Sequence, residues 1–250
     1  MRKELIRYKA VVEYCGSGLC GWQKQLNLPS VQGILESVIY NFTKQEVEVF
    51  CAGRTDRGVH ALGQVIHFDL CGEYDARKLI RSLNHFLRGT NVAILDCEAV
   101  DMKFHARFSA KSRSYLYKIL NRNVLHNPVY QNRVSVVYHP LDVELMQLGA
   151  NELVGTYDFT SFRAANCQAN SAIRTMSEIK IWREAELITC YFHAPSFLYH
   201  MVRNIMGTLI LVGAGKMTPR RVKEILLAKD RSIAGPTAKP EGLYFLRVNY

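Results

Sequence analysis

The chain has 250 residues, 48% of them hydrophobic and 22% charged, and this composition excludes a disordered or fibrous protein. The length allows one large domain or two small ones. Lys and Arg number 32 against 22 Asp and Glu, and the net charge of +10 favours a polyanionic partner such as nucleic acid, with a basic surface that serves only solubility as the alternative.

The first part of the chain alternates strand and helix patterns. Residues 7–14 predict a strand, and Ser30 predicts the N-cap of a helix whose apolar residues recur at the helical period. Strands are predicted at 47–51, 65–70 and 92–100. Asp75 predicts the N-cap of a second helix. The residues of this helix that are expected to face the core are Leu79, Ile80, Leu83, Phe86 and Leu87.

The second part repeats this order. Residues 112–120 predict a strand and 134–138 a short additional one, and Asp142 predicts the start of a helix. A hairpin is predicted from 176–182 and 187–193, then a helix that begins near Phe197. Thr218 and Pro219 predict the start of a short helix. A last strand is expected at 243–248.

Both parts follow the order β-α-β-β-α-β, which is the split βαβ arrangement of ferredoxin-like folds. The sequence therefore predicts an α+β protein with two ferredoxin-like halves, whose mainly antiparallel sheets flank a central active-site cleft. We place the N-terminal half at residues 1–105. The C-terminal half, with added helices, is placed at 106–250.

The seven cysteines include no C-x-x-C pair, which argues against a zinc ribbon and against a secreted disulfide framework. The start of the chain lacks the apolar run of a signal peptide. The longest apolar stretch, at 205–214, is too short to span a bilayer. We therefore expect a soluble cytoplasmic protein with reduced thiols, no membrane segment and no bound metal.

The loop between the strands at 47–51 and 65–70 has the densest chemistry in the chain. Three glycines interrupt it, and it carries Arg54, Asp56, Arg57 and His60. A flexible loop with a carboxylate, an imidazole and two guanidiniums is a candidate site. Its composition is equally compatible with an ordinary turn that has a solvated Asp.

A second glycine-rich stretch, 16–21, has the formal pattern G-x-G-x-x-G after a strand. A dinucleotide site needs the last glycine at the start of a helix. Here Pro29 comes before any helical periodicity, so a glycine-rich connection is the better interpretation.

Three further features are candidates for function. Tyr115 and Tyr117 lie two apart on one strand and face the same side, either as core or as a stacking platform for a base. Arg203 lies in an apolar helix, where it either pairs with a carboxylate or faces solvent. His105, among aromatic residues, is more typical of a structural histidine.

The motifs of zinc deaminases, zinc proteases, serine hydrolases and P-loop proteins are missing from the sequence. What remains is a site built on a carboxylate and arginines, in a protein suited to RNA. Composition and periodicity do not name the reaction.

Residues 53–60 read G-R-T-D-R-G-V-H. Further motif blocks stand at residues 21–23, 30–32, 104–110, 114–117, 158–164, 200–205 and 238–244. Taken together in this order along nearly the whole chain, the blocks resemble the tRNA pseudouridine synthase A family.

This resemblance implies isomerisation of uridine to pseudouridine in the anticodon stem-loop of tRNA, at positions 38–40. It also implies a homodimer and a reaction without metal or organic cofactor. By motif position, Asp56 is the catalytic carboxylate, Tyr115 stacks on the target base and Arg203 pairs with Asp56. Arg54 helps to extrude the nucleotide, and Leu243 lines the pocket.

The chain departs from the family pattern after the key aspartate, where Arg57 replaces a small residue. Arg57 could add a phosphate contact or change which tRNAs are accepted. Two other hypotheses stay open: an RNA-binding protein without chemistry, and an enzyme that uses a nucleotide at 16–21.

Overall fold

The computed structural model describes residues 4–250. It divides into two compact units. Unit 1 comprises the described residues up to Lys111 together with Tyr244–Tyr250, and unit 2 comprises Ser112–Leu243. The division into functional halves at 105/106 remains a prediction.

Unit 1 is a helix-covered, antiparallel sheet. Its elements are β1 (Leu5–Tyr14), α1 (Val31–Thr43), β2 (Phe50–Cys51), β3 (His60–Cys71), α2 (Ala76–Leu87) and β4 (Val92–Val100). β1 pairs antiparallel with both β3 and β4, and β2 pairs antiparallel with β3. The two helices pack against each other, with Leu35, Ile39, Leu79 and Leu83 fully buried.

Unit 2 contains mainly antiparallel strands and three helices. Its elements are β5 (Ser112–Asn121), β6 (Ser135–Val137), α3 (Val143–Asn151), β7 (Gly155–Asp158), β8 (Ile173–Met176), β9 (Glu178–Glu184), β10 (Leu187–Ala194), α4 (Met201–Gly213) and α5 (Pro219–Ala228). β10 lies between β5 and β9, while β6 runs parallel to β5. A separate hairpin is formed by β7 and β8. Helix α3 packs on α4, α5 and β9.

The last strand, β11 (Leu243–Asn249), pairs in parallel with the start of β3, where Tyr244 is opposite His60. The chain therefore returns to unit 1 at its C-terminal end. With mixed helices and mainly antiparallel sheets, the predicted α+β class is confirmed. Among the described residues, none of the helices is both long and apolar enough to cross a membrane.

Helix starts were predicted well because capping is local. Ser30 Oγ accepts the Gly33 N–H at 3.2 Å, and Asp75 and Asp142 cap α2 and α3 in the same manner. Thr218 precedes Pro219 as expected, although its hydroxyl makes no capping bond.

Three predictions were wrong in detail. β2 is only two residues long, and α4 begins at Met201 rather than near Phe197. Phe86 is 43% exposed because the buried face of α2 is completed by Leu79, Leu83 and Leu87. The β7–β8 hairpin was not predicted, because its strands are short and mostly half-exposed.

His67, on β3, is buried at the edge of the unit 1 core. Its Nδ1 accepts the Ala106 N–H at 3.2 Å, and its ring stacks on Phe50 with centroids 4.9 Å apart. The pKa of His67 is lowered to about 4, mainly by burial and then by the nearby charges of Arg7 and His105, while Asp69 has the opposing effect. The imidazole is therefore neutral in the folded protein at neutral pH.

We predict that His67 makes the protein acid-sensitive. Its pKa of about 4 in the folded state lies below the unfolded value of 6.5, so the unfolded chain binds the proton first as the pH falls. Stability should be full above the unfolded pKa and decline from about pH 6.5 towards pH 4. His67→Gln, whose amide oxygen can accept the same N–H, should show a flatter decline of urea midpoint with pH. The exposed His126→Gln serves as the control and should keep the wild-type slope; equal slopes for all three proteins would contradict the assignment.

Candidate active site

The loop that joins β2 to β3 carries the charged residues of the family signature. Arg54 and Arg57 are exposed, and Asp56 is half-buried. The base of the loop is closed by the side chain of Gln64, which is fully buried. Its amide donates to Gly53 O at 2.6 Å and accepts the Gly53 N–H at 3.3 Å. The start of the loop at Gly53 is therefore fixed by two hydrogen bonds in spite of its glycines.

Asp56 lies in a tight turn. The Val59 N–H donates to Asp56 O at 3.1 Å, and Gly58 adopts a φ of 81°, which suits glycine. The preceding residue, Thr55, is also held, since its hydroxyl lies 2.7 Å from the Tyr14 hydroxyl. Its carbonyl accepts the Trp22 N–H at 2.9 Å. Bonds on both sides thus fix the main chain that carries Asp56.

The glycine run 16–21 packs directly on the backbone of this turn. A Cβ on Gly16 would lie 2.2 Å from Val59 O, and a Cβ on Gly21 would lie 2.7 Å from Thr55 O. Gly21 also has a φ of 103°. No helix starts between Gly21 and α1, which begins at Val31. Gly16 and Gly21 are therefore explained by close approach to the Asp56 turn, and the run 16–21 is a glycine-rich connection.

His60 ends the loop as a structural residue. Its Nδ1 accepts the Gly16 N–H at 3.0 Å, so the ring proton of the neutral form is on Nε2. The ring is buried and stacks on Tyr244, with centroids 4.6 Å apart. His60 therefore links the glycine run, the Asp56 loop and β11 within unit 1.

In unit 2, the two tyrosines of β5 have different environments. Tyr115 is half-exposed, and its ring packs edge-on against Phe197 at 4.9 Å. Tyr117 is fully buried and donates its hydroxyl to Lys239 O at 2.8 Å. Burial raises the pKa of Tyr117 far above its usual value. Tyr117 is therefore part of the core, and a two-ring platform is excluded for this pair.

Arg203 lies in the first turn of α4 and is half-buried. Its Nε donates to Ala238 O at 2.8 Å, and the Ala238 N–H donates to Arg203 O at 3.0 Å. This reciprocal pair attaches the segment that leads to Leu243 to the helix. Leu243 itself is 7% exposed and follows the short 3-10 turn Pro240–Gly242.

The same segment is held on α4 by buried polar groups. Asn204, which is fully buried, donates to Phe162 O at 2.9 Å and accepts from Arg231 and Thr237 at 3.1 and 2.7 Å. This segment approaches α4 closely, because a Cβ on Gly207 would lie 1.6 Å from Pro236 O. The main chain beside Arg203 is thus fixed by contacts that require an amide and a glycine.

No group of three or more His, Cys, Asp or Glu residues within 4–250 is arranged to hold a metal ion. The structure describes Asp56 and Arg54 in unit 1, and Tyr115, Arg203 and Leu243 in unit 2.

A family model described as tRNA pseudouridine synthase matches residues 10–109 and 150–250. The chain belongs to this family. It is 48% identical over 248 residues to tRNA pseudouridine synthase A of Ehrlichia canis (strain Jake), covering 98% of this chain and 100% of that protein. It is also 48% identical over 246 residues to tRNA pseudouridine synthase A of Rhodospirillum rubrum, covering 98% and 88%. The resemblance seen in the motifs is confirmed.

Sequence reasoning missed the residues that hold the charged groups of this family member. Gln64 and Tyr14 support the Asp56 loop, while Asn204 and Ala238 support Arg203. Gln64 lies four residues after the block 53–60 and Asn204 lies within the block 200–205, and both are amides in largely apolar stretches. A buried amide in such a run is the signal that could have identified them.

We predict that Gly16→Ala disturbs the Asp56 turn. The new methyl group would collide with a carbonyl that cannot move without shifting Val59, so the free energy of unfolding should fall by about 1–3 kcal/mol. Catalytic activity on tRNA should fall as well. The comparison is Gly18→Ala, which places a Cβ in open space at a φ of 77° and so shows the cost of backbone strain without a collision. Gly18→Ala should keep its activity on tRNA, and an equal loss of activity in both variants would show that close packing on the turn is not the reason for Gly16.

We also predict that Asn204→Ala destabilises unit 2, because each buried group left unpaired costs about 1–3 kcal/mol. Urea unfolding followed by tyrosine fluorescence measures this effect. Asn166→Ala, which removes an exposed amide of the same unit, should leave the urea midpoint unchanged. A wild-type midpoint for Asn204→Ala would show that the network does not support the fold.

Proposed function

We propose that this protein isomerises uridine to pseudouridine in tRNA. The observation that carries the proposal is the match to two tRNA pseudouridine synthases A at 48% identity along 98% of the chain. The signature 53–60 is complete, with its aspartate at a rigidly held turn. The net charge of +10 suits a polyanionic substrate.

The finer features of the proposal come from the family resemblance. The substrate is the anticodon stem-loop, the active form is a homodimer and the enzyme acts in the cytoplasm. The two halves are ferredoxin-like, and the order β4-β1-β3-β2 of the strands in unit 1 supports this for the N-terminal half.

Asp56 is proposed as the catalytic carboxylate. The reaction breaks the N1–C1′ bond of uridine and forms a C5–C1′ bond, the hydrogen on C5 leaves as a proton, and N1 takes up a proton. A carboxylate can act in this sequence as a nucleophile at the sugar or the base, or as a base at C2′. Each of these roles needs an oxygen in a fixed position, and the turn that holds Asp56 supplies one.

The remaining residues are proposed to bind the nucleotide. Tyr115, half-exposed and edge-packed on Phe197, stacks on the target base. Arg54, exposed in the loop, fills the space that the extruded base leaves. Arg203 compensates the charge of the catalytic carboxylate, because an ionised carboxylate away from water needs a cation. Leu243 supplies apolar surface to the uracil.

We predict that Asp56→Asn abolishes the reaction but not RNA binding. The amide keeps the shape and loses the charge, so the rate of tritium release from tRNA labelled at uridine C5 should fall by at least about 100-fold. The Kd for tRNA, measured by filter binding, should stay within a few-fold of wild type. Glu13→Gln neutralises an exposed carboxylate of the same unit and should retain full activity.

The outcomes separate the alternatives. Tritium release by the wild-type protein establishes the isomerisation, and its absence together with salt-sensitive tRNA binding would favour an RNA-binding protein without chemistry. Full activity in Asp56→Asn would overturn the assignment of the carboxylate while leaving the reaction intact.

A further inference from the structure

Phe108 is an exposed aromatic residue outside the loop of Asp56. It lies in the 104–108 turn of unit 1, and 76% of its surface is accessible to solvent. Its ring centroid is 4.4 Å from that of His105, and the guanidinium of Arg107 lies 5.6 Å from the Phe108 ring. A single exposed apolar side chain needs no explanation by itself. The hydrogen-bonded turn that supports Phe108, however, does need an explanation.

The turn that presents Phe108 is closed by its own hydrogen bonds. The Arg107 and Phe108 N–H groups both donate to His105 Nδ1, at 3.1 and 3.4 Å. Ser109 and His105 bond reciprocally, with Ser109 N–H to His105 O at 2.9 Å and His105 N–H to Ser109 Oγ at 3.0 Å. His105 is therefore the structural residue that its aromatic neighbours suggested.

The turn is also anchored to the core of unit 1. The Ala106 N–H donates to His67 Nδ1 at 3.2 Å, and the Tyr250 hydroxyl donates to Ala106 O at 2.8 Å. Arg7 donates to Phe104 O at 2.8 Å while forming an ion pair with Asp69. An aromatic ring on such a support loses little conformational freedom when a ligand binds.

The turn lies beside the strand that leads to the Asp56 loop. The ring of Phe50, in β2, is 5.6 Å from the His105 ring. Burial raises the pKa of the next residue, Cys51, to about 12, and the positive charges of Arg54 and Arg107 oppose this increase. Arg54 of the Asp56 loop and Arg107 of the 104–108 turn therefore both act electrostatically on the Cys51 thiol.

We propose that Arg107 and Phe108 form a binding site for an unpaired base of the substrate RNA and its phosphate. The site rests on the proposed action on tRNA and extends it to a nucleotide other than the one that reacts. The Phe108 ring stacks on the base, a contact that tolerates any sequence, and Arg107 neutralises a phosphate. A second copy of this chain is the less favoured occupant, because the positive charge of Arg107 beside the ring is neutralised by an RNA phosphate and not by a surface of a protein with net charge +10.

The test uses an RNA anticodon stem-loop with a single 2-aminopurine, placed in turn at each unpaired position. Stacking on an aromatic ring should quench its fluorescence at one position when wild-type protein binds. Phe108→Ala should remove this quenching and weaken Kd roughly tenfold, in the range of one lost stacking contact. Phe108→Trp should restore both, and Phe108→Leu should restore neither.

Phe86→Ala is the matched control, since it removes a half-exposed phenylalanine from α2 of the same unit and should leave Kd and quenching unchanged. Phe108→Ala should melt at the wild-type temperature because its ring is mostly outside the core. Wild-type affinity in Phe108→Ala, or equal rescue by Leu and Trp, would overturn the proposal. A change in molecular mass of Phe108→Ala by light scattering would also overturn it, because the ring would then cover a protein surface.

The binding readouts do not depend on turnover. If tritium release fails in the wild-type protein while quenching is present, the proposed reaction is wrong and the RNA site stands. If release is normal and quenching is absent at every position, the RNA site is wrong and the reaction stands.

Discussion

The close approach of two backbones determines the geometry of the Asp56 loop. Gly16 and Gly21 bring one strand-to-helix connection within van der Waals distance of residues 55–59, where no side chain fits. Hydrogen bonds from Trp22 to Thr55 and from Gly16 to His60 then fix the two chains together. Arg54 and Arg57 are exposed on this loop, while the backbone of Thr55 and Val59 packs against the two glycines. A site built in this manner is rigid without a regular element beneath it.

In unit 2, a close backbone contact at a glycine likewise fixes the surroundings of Arg203. Gly207 lets the segment before β11 lie against α4, and the buried amide of Asn204 satisfies its polar groups. Arg203 is bonded through its own side chain and carbonyl to Ala238. In both units, a charged residue of the family pattern therefore stands next to a glycine contact and a buried amide. Such polar networks stabilise one arrangement because any slip leaves a buried group unpaired.

Local features of the sequence were sufficient for most element boundaries. Helix α1 was predicted from Ser30 because a side-chain cap acts within one turn. β2 was predicted too long because its apolar pattern does not reveal that only two residues find a partner on β3. The two tyrosines of β5 were correctly placed on one side, but the sequence could not show that the carbonyl of Lys239 fixes Tyr117 in the core.

The sequence by itself determined the α+β class, the helix caps, the identity of the charged residues and the family, because these depend on short motifs and on the periodicity of apolar residues. Only the tertiary structure decided what holds those residues. The partners of the Asp56 turn are 33 (Trp22 to Thr55) to 44 (Gly16 to His60) positions away in the chain, and Ala238 is 35 positions from Arg203. Contacts at such separations depend on how elements pack, and nothing in a local pattern records them.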